Sequence, residues 1–121
     1  AMLLLQKRHE DANGNITAQR VGTVVVKYGK STGGWVEDAT YEIHYGNITG
    51  KSFYNAATMG LRSHDYARNS KGKSVLVKET GWAPADATPT HIVLQFSSSH
   101  GGAYVGTVGN TFWVDNVGLV Y

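Results

Sequence analysis

Two tryptophans carry the first chemical signal in this chain. Trp35 follows Ser31-Thr32-Gly33-Gly34, and Trp82 sits in Gly81-Trp82-Ala83-Pro84, both turn-forming stretches. Core packing does not require a large ring at such places. A flat ring held at the surface can stack on the C–H face of a sugar, with nearby amides and carboxylates meeting the hydroxyls. Glu37, Asp38 and Gln95 supply such groups, and Tyr104, in the glycine-rich approach to the last strand, supplies another ring. The competing reading of each ring is a cap over the end of a sheet. Trp113 has the opposite parity to Phe112 and Val114, so it points outward, to cover a sheet face or to line a groove.

Catalytic patterns are sparse by comparison. Glycoside hydrolysis uses two carboxylates roughly 5–10 Å apart, one of them kept protonated. Glu42 is the one acid in mid-strand on a patterned face, with His44 on the same side, and a solvated sheet face accounts for both. The five histidines, His9, His44, His64, His91 and His100, show no zinc spacing. The chain has no cysteine, which excludes disulfides, thiol nucleophiles and iron–sulfur clusters. No Gly-x-Ser-x-Gly elbow and no phosphate-binding loop occur. Asp11-Ala12-Asn13-Gly14-Asn15 evokes a calcium loop but fails: Ile16 stands where glycine is needed and Gly22 where the bidentate glutamate belongs. Asp115 is a better calcium candidate, because a bulge in the last strand would present its carboxylate beside backbone carbonyls. The pattern favours a binding protein over an enzyme.

Charge bounds the ligand. Formal net charge is +2 over 121 residues, and charged residues are 17% of the chain. That is too weak a field to point to nucleic acid or a membrane surface overall. Arg62 to Lys78 stands apart, with five cations against Asp65 alone. With Tyr66 among them, the span could hold nucleic acid by charge and stacking, or an anionic polysaccharide such as a uronate; the alternative is a solvated basic loop. No apolar run approaches the ~20 residues of a membrane span. Leu3-Leu4-Leu5 ahead of Lys7-Arg8 is too short for the apolar region of a signal peptide. Residues 1–121 read as one domain, a monomer, excised from a larger protein.

The elements that must position these residues are strands. Thirteen valines, eleven threonines and seven tyrosines favour extended backbone. Strands are predicted at Leu3–His9, Thr23–Tyr28, Ala39–Tyr45, Ser74–Lys78, His91–Ser97 and Thr111–Tyr121, with a hairpin turn at Asp11–Asn15. Tyr41, Ile43 and Tyr45 share one face and read as core, as do Ile92, Leu94 and Phe96. Residues 55–61 form a short helix or an irregular crossing, Arg62–Lys73 a long loop, and Thr80–Pro89 another. In the last strand a bulge at Asp115-Asn116 reconciles Phe112 and Val114 with the opposite parity of Val117, Leu119 and Tyr121. About seven or eight strands at this spacing suggest an all-β antiparallel sandwich.

The closing segment carries a resemblance. Ser97-Ser98-Ser99-His100-Gly101-Gly102, followed by Gly109-Asn110-Thr111-Phe112-Trp113-Val114-Asp115-Asn116-Val117-Gly118-Leu119-Val120-Tyr121, resembles the end of galactose-binding-like jelly-roll domains. It is most similar to the carbohydrate metabolism domain of Bacteroidetes surface lipoproteins. The likeness spans Pro89 to Tyr121, with a weaker match at Val26-Lys27-Tyr28. It implies a jelly-roll sandwich serving as a non-catalytic carbohydrate-binding module, extracellular or at the bacterial cell surface, with a polysaccharide as partner. A structural calcium at Asp115 is part of that implication. Asn116 stands where many relatives carry a second aspartate. A structural or protein-interaction sandwich, adhesin-like or a spacer, is the alternative function, and a glycoside hydrolase a third.

Overall fold

A computed structural model describes residues 1–28, 30–37, 39–97, 111, 112, 114 and 117–119. Among them the chain is mostly β, arranged as a curled, half-barrel mixed sheet with almost no helix. The strands are β1 (Met2–Glu10), β2 (Ile16–Val25), β3 (His44–Tyr45), β4 (Asp65–Arg68), β5 (Ser74–Trp82) and β6 (His91–Gln95); α1 (Ala56–Met59) is a single turn. Their order in the sheet is β4-β5-β2-β1-β6. β3 joins the same edge of β2 that β5 occupies, at Gly22 and Thr23, beyond the β5 pairing at Ile16–Arg20.

The expected β1–β2 hairpin is present, and its tip shows why this sequence turns there. The Asp11 carboxylate accepts from the backbone amides of Asn13 and Asn15, both at 2.9 Å, which closes the loop locally. Gly14 takes φ +80°, a region that side chains resist. A Cβ there would lie 2.6 Å from the Asn69 side-chain nitrogen, which donates to the Gly14 carbonyl at 3.0 Å. Asn69 also accepts from the amides of Lys71 and Lys73, so one amide side chain shapes the β4–β5 turn and docks it on the β1–β2 turn.

Several expectations need correction. The sheet is not purely antiparallel, because β2 and β5 run parallel. β2 starts at Ile16 rather than Thr23, and β5 runs on through Trp82 rather than giving way to a loop at Thr80. Asp65–Arg68 is a strand within the supposed loop, while only His44–Tyr45 of 39–45 pairs with the sheet. Tyr41, Tyr45, Ile92, Leu94 and Phe96 are exposed, not core. The proposed final strand falls largely outside the described residues.

The cause of the missed strands lies in the core itself. Two small apolar clusters, Leu5/Val21/Ala83 and Ile16/Ala18/Val77, flank a polar centre. There Arg20 is fully buried and uses all five guanidinium donors. Nε and Nη2 bind the Glu79 carboxylate at 2.7 and 2.5 Å; the rest go to Thr23 Oγ1 and the carbonyls of Met59 and Gly60. Glu79 also accepts from Gln6 Nε2 at 2.9 Å and the Arg62 amide at 2.7 Å. Gln6 in turn accepts from Arg8 Nε. Charged residues at inward positions break the apolar alternation by which strands are recognised.

Candidate functional site

An apolar recess with polar groups on its rim lies beside the end of β2. It encloses about 210 Å³ between Thr23–Val26 on one side and Tyr41, Glu42, His44 and Phe53 on the other, with Ile48 and Met59 also lining it. Local chemistry holds the second wall in place. His44 pairs with Thr23 across the β2–β3 ladder, and its ring stacks on Phe53 with centroids 4.1 Å apart. Gly46, at φ +78°, turns the chain and donates to the Val21 carbonyl at 2.9 Å. A Cβ at that position would press on Ala85 at 3.2 Å. Asn47 then accepts from the amide and hydroxyl of Thr49, bringing Ile48 inward to full burial.

Tyr41 and Tyr28 share a short hydroxyl–hydroxyl contact of 2.5 Å. That bond, more than partial burial, raises the Tyr41 pKa, so the phenol stays protonated through the physiological range. Among the described residues the Glu42 carboxylate has neither an ion pair nor a hydrogen bond, although it lines the recess. The Phe53 ring, the Tyr41 phenol, the His44 imidazole and a carboxylate without a partner among the described residues therefore line one concave surface. Such a surface can stack an apolar ring face and hydrogen-bond the polar groups around its edge.

The residues singled out from sequence are dispersed. Trp35 is 65% exposed, in a loop shaped by Gly33 at φ +74° and by Thr32 Oγ1 donating to the Gly34 carbonyl. Glu37 is exposed close by in the chain. Trp82 is not a loop residue: it ends β5 half-buried, edge-on to Tyr54, with the Arg20 guanidinium 5.3 Å from its ring centre. Its face is thus used within the protein. Gln95, exposed on β6, accepts from Arg62 Nη2 at 3.3 Å. No hydrogen bond or ring contact among the described residues joins Trp35, Trp82 and Gln95. Asp38, Tyr104, Trp113 and Asp115 lie outside the described residues, and with Asp115 the expected calcium site. Among those described, no three histidine or acidic side chains gather as metal ligands.

By strand parity Tyr41 belongs to the core and Glu42 with His44 to a solvated face, and Phe53 carries no signal of its own in the sequence. Parity separates Tyr41 from Glu42 only if the segment is a strand. Because pairing starts at His44, both side chains reach the same recess.

Comparison with known proteins adds no family. No protein-family model, curated protein or solved structure matches the chain.

Proposed function

We propose that the chain is a non-catalytic carbohydrate-binding module with the jelly-roll sandwich fold, acting at a bacterial cell surface. The observation that carries this reading is the recess itself, where Tyr41 and Phe53 rings stand beside a Glu42 carboxylate left without a partner among the described residues. A pyranose would lay its C–H face on the rings while Glu42 and His44 take its hydroxyls. Trp35, open to solvent, offers a second stacking surface for a longer chain. Affinity would be modest, since ordering a flexible glycan offsets much of the contact energy. Among the described residues the recess is lined by one carboxylate, Glu42, where hydrolysis uses two. For the sandwich, support comes from Phe112, whose ring lies 6.1 Å from Phe96 and 6.2 Å from Tyr28. A closing strand after it would cover the apolar row of β6.

That exposed row, Ile92, Leu94 and Phe96, favours the second reading, a protein-interaction sandwich. Retardation of the folded protein in gels cast with plant and host polysaccharides, with calcium or with chelator, separates the two. Retardation that disappears in Tyr41→Ala and Phe53→Ala supports the module and its site. Absence of retardation on every glycan refutes it and favours the interaction domain, and a calcium requirement would bring Asp115 into the site.

A further inference from the structure

Among the described residues one face of the sheet is open across four strands, and its chemistry differs from that of the recess. Beyond the bulge at Leu5/Gln6, alternation sends Gln6 and Arg8 of β1 to one side and Lys7 and His9 to the other. The register continues this division. His9 pairs with Thr17, and Thr17 with Lys78; Lys7 pairs with Gln19. Residues aligned in this way share a face. On β5 and β4 the same face carries Leu76 and Tyr66, which are partners, and then Arg68 opposite Ser74.

The two faces are sorted by charge as well as by burial. Glu79 and Asp65 point to the other side, where Arg20 and Arg62 neutralise them. Among the described residues β1, β2, β5 and β4 themselves place no carboxylate on the open face; Asp11, in the turn just past His9, stands at its end with its oxygens taken by Asn13 and Asn15. Lys7, Lys78 and Arg68 have no ion-pair partner there, and Arg68 is steadied by a bond from Nη1 to the Gly72 carbonyl at 2.9 Å. A shallow groove of about 320 Å³ runs over the β1–β2 part, lined by Lys7, His9, Thr17, Gln19 and Thr80 among others. Tyr66 is 69% exposed at the far side.

Spacing then selects the ligand. Two strand intervals separate Lys7 on β1 from Lys78 on β5 by at least roughly 10 Å, with the Thr17 and Gln19 side chains of β2 between them, and Lys78 lies ~13 Å along β5 from the level of Arg68. Cations are therefore separated by neutral hydrogen-bonding groups. A polyuronate has this arrangement in complement, carboxylates separated by hydroxyls along an extended chain. Single-stranded nucleic acid is a poorer match, because its sequence-tolerant binding stacks successive bases on several rings. Among the described residues this face offers one phenol, Tyr66, and the His9 imidazole at its far side.

We propose that the open face of β1, β2, β5 and β4 binds an acidic polysaccharide, with carboxylates on Lys7, Lys78 and Arg68 and hydroxyls on Thr17 and Gln19. The inference rests on the glycan-binding reading but uses a separate surface from the recess. Affinity electrophoresis in polygalacturonate and in a neutral galactomannan tests it, beside polarisation of a labelled oligothymidylate. The variants are Lys7→Gln/Lys78→Gln and, for the recess, Tyr41→Ala/Phe53→Ala; far-UV circular dichroism checks their folding. The lysine variant should lose about tenfold in polygalacturonate affinity at low salt, as two screened charge contacts imply. Wild-type retention should weaken as salt rises, while the lysine variant keeps any neutral-glycan binding. Polygalacturonate retention unaffected by the lysine substitutions overturns the proposal, as does no retention of the wild type. If neutral glycan is still bound in that case, the recess reading survives alone. Oligothymidylate bound more tightly than polygalacturonate, and lost in the lysine variant, reassigns the face to nucleic acid.

Discussion

Removing the Glu79 carboxylate should unfold more of this protein than any single apolar truncation of comparable size. Glu79→Ala leaves four donors without their acceptor: Arg20 Nε and Nη2, Gln6 Nε2 and the Arg62 amide. Arg20 keeps Thr23 Oγ1 and the Met59 and Gly60 carbonyls, but its charge is fully buried and no longer matched. Breaking a buried pair from one side costs about 3–5 kcal/mol. Against a total stability on the order of 5–15 kcal/mol, that approaches half for a typical domain. The double variant Arg20→Met/Glu79→Leu removes both charges, so it should be more stable than Glu79→Ala by at least about 1 kcal/mol. Urea unfolding followed by tryptophan emission measures both, since Trp82 lies against Arg20 and reports on this centre. A loss below about 1 kcal/mol in Glu79→Ala, or a double variant no better than the sum of its singles, would refute the argument that the pair is desolvated and mutually dependent.

Two further outcomes follow from local geometry. Gly14→Ala should cost about 1–2 kcal/mol, because φ +80° disfavours a side chain and the new methyl meets the Asn69 amide; urea midpoints compared with Gly34→Ala, where space is open, isolate the effect. The Asp65 pKa is lowered, chiefly by the Arg62 hydrogen bond, so this carboxylate contributes stability above its unfolded value of 3.8, and the contribution is lost as pH falls through the folded value. Asp65→Asn should therefore flatten the acid limb of thermal stability below about pH 4, and an unchanged limb would show that the pair is not formed in solution.

What was legible in the sequence were the features that local chemistry dictates. The β1–β2 turn follows from Asp11 and Asn-Gly, and the Val75/Val77 alternation marks β5. Long-range polar pairing was not legible. Arg20 and Glu79 are 59 residues apart, and each looks like a solvent residue until its partner is known. For the same reason Arg62–Lys73 reads as a loop: Asp65 and Ala67 face inward there, and neither is a strand signature. The recess depends on a segment that leaves regular pairing before His44, where periodicity carries no information about direction.

The parallel β2–β5 seam has a kinetic consequence. Each of its flanks, β1–β2 and β4–β5, is a hairpin that closes over a few residues and so can form early. The seam itself must close a long loop before Ile16 meets Val77, and that closure entropy is lost before the pairing returns anything. Two hairpins waiting for one another, each with an unpaired edge, would be most exposed to intermolecular pairing at this stage. The docking of Asn69 on Gly14 joins the two turn tips, which places the strands in register at the end where β2 and β5 first align.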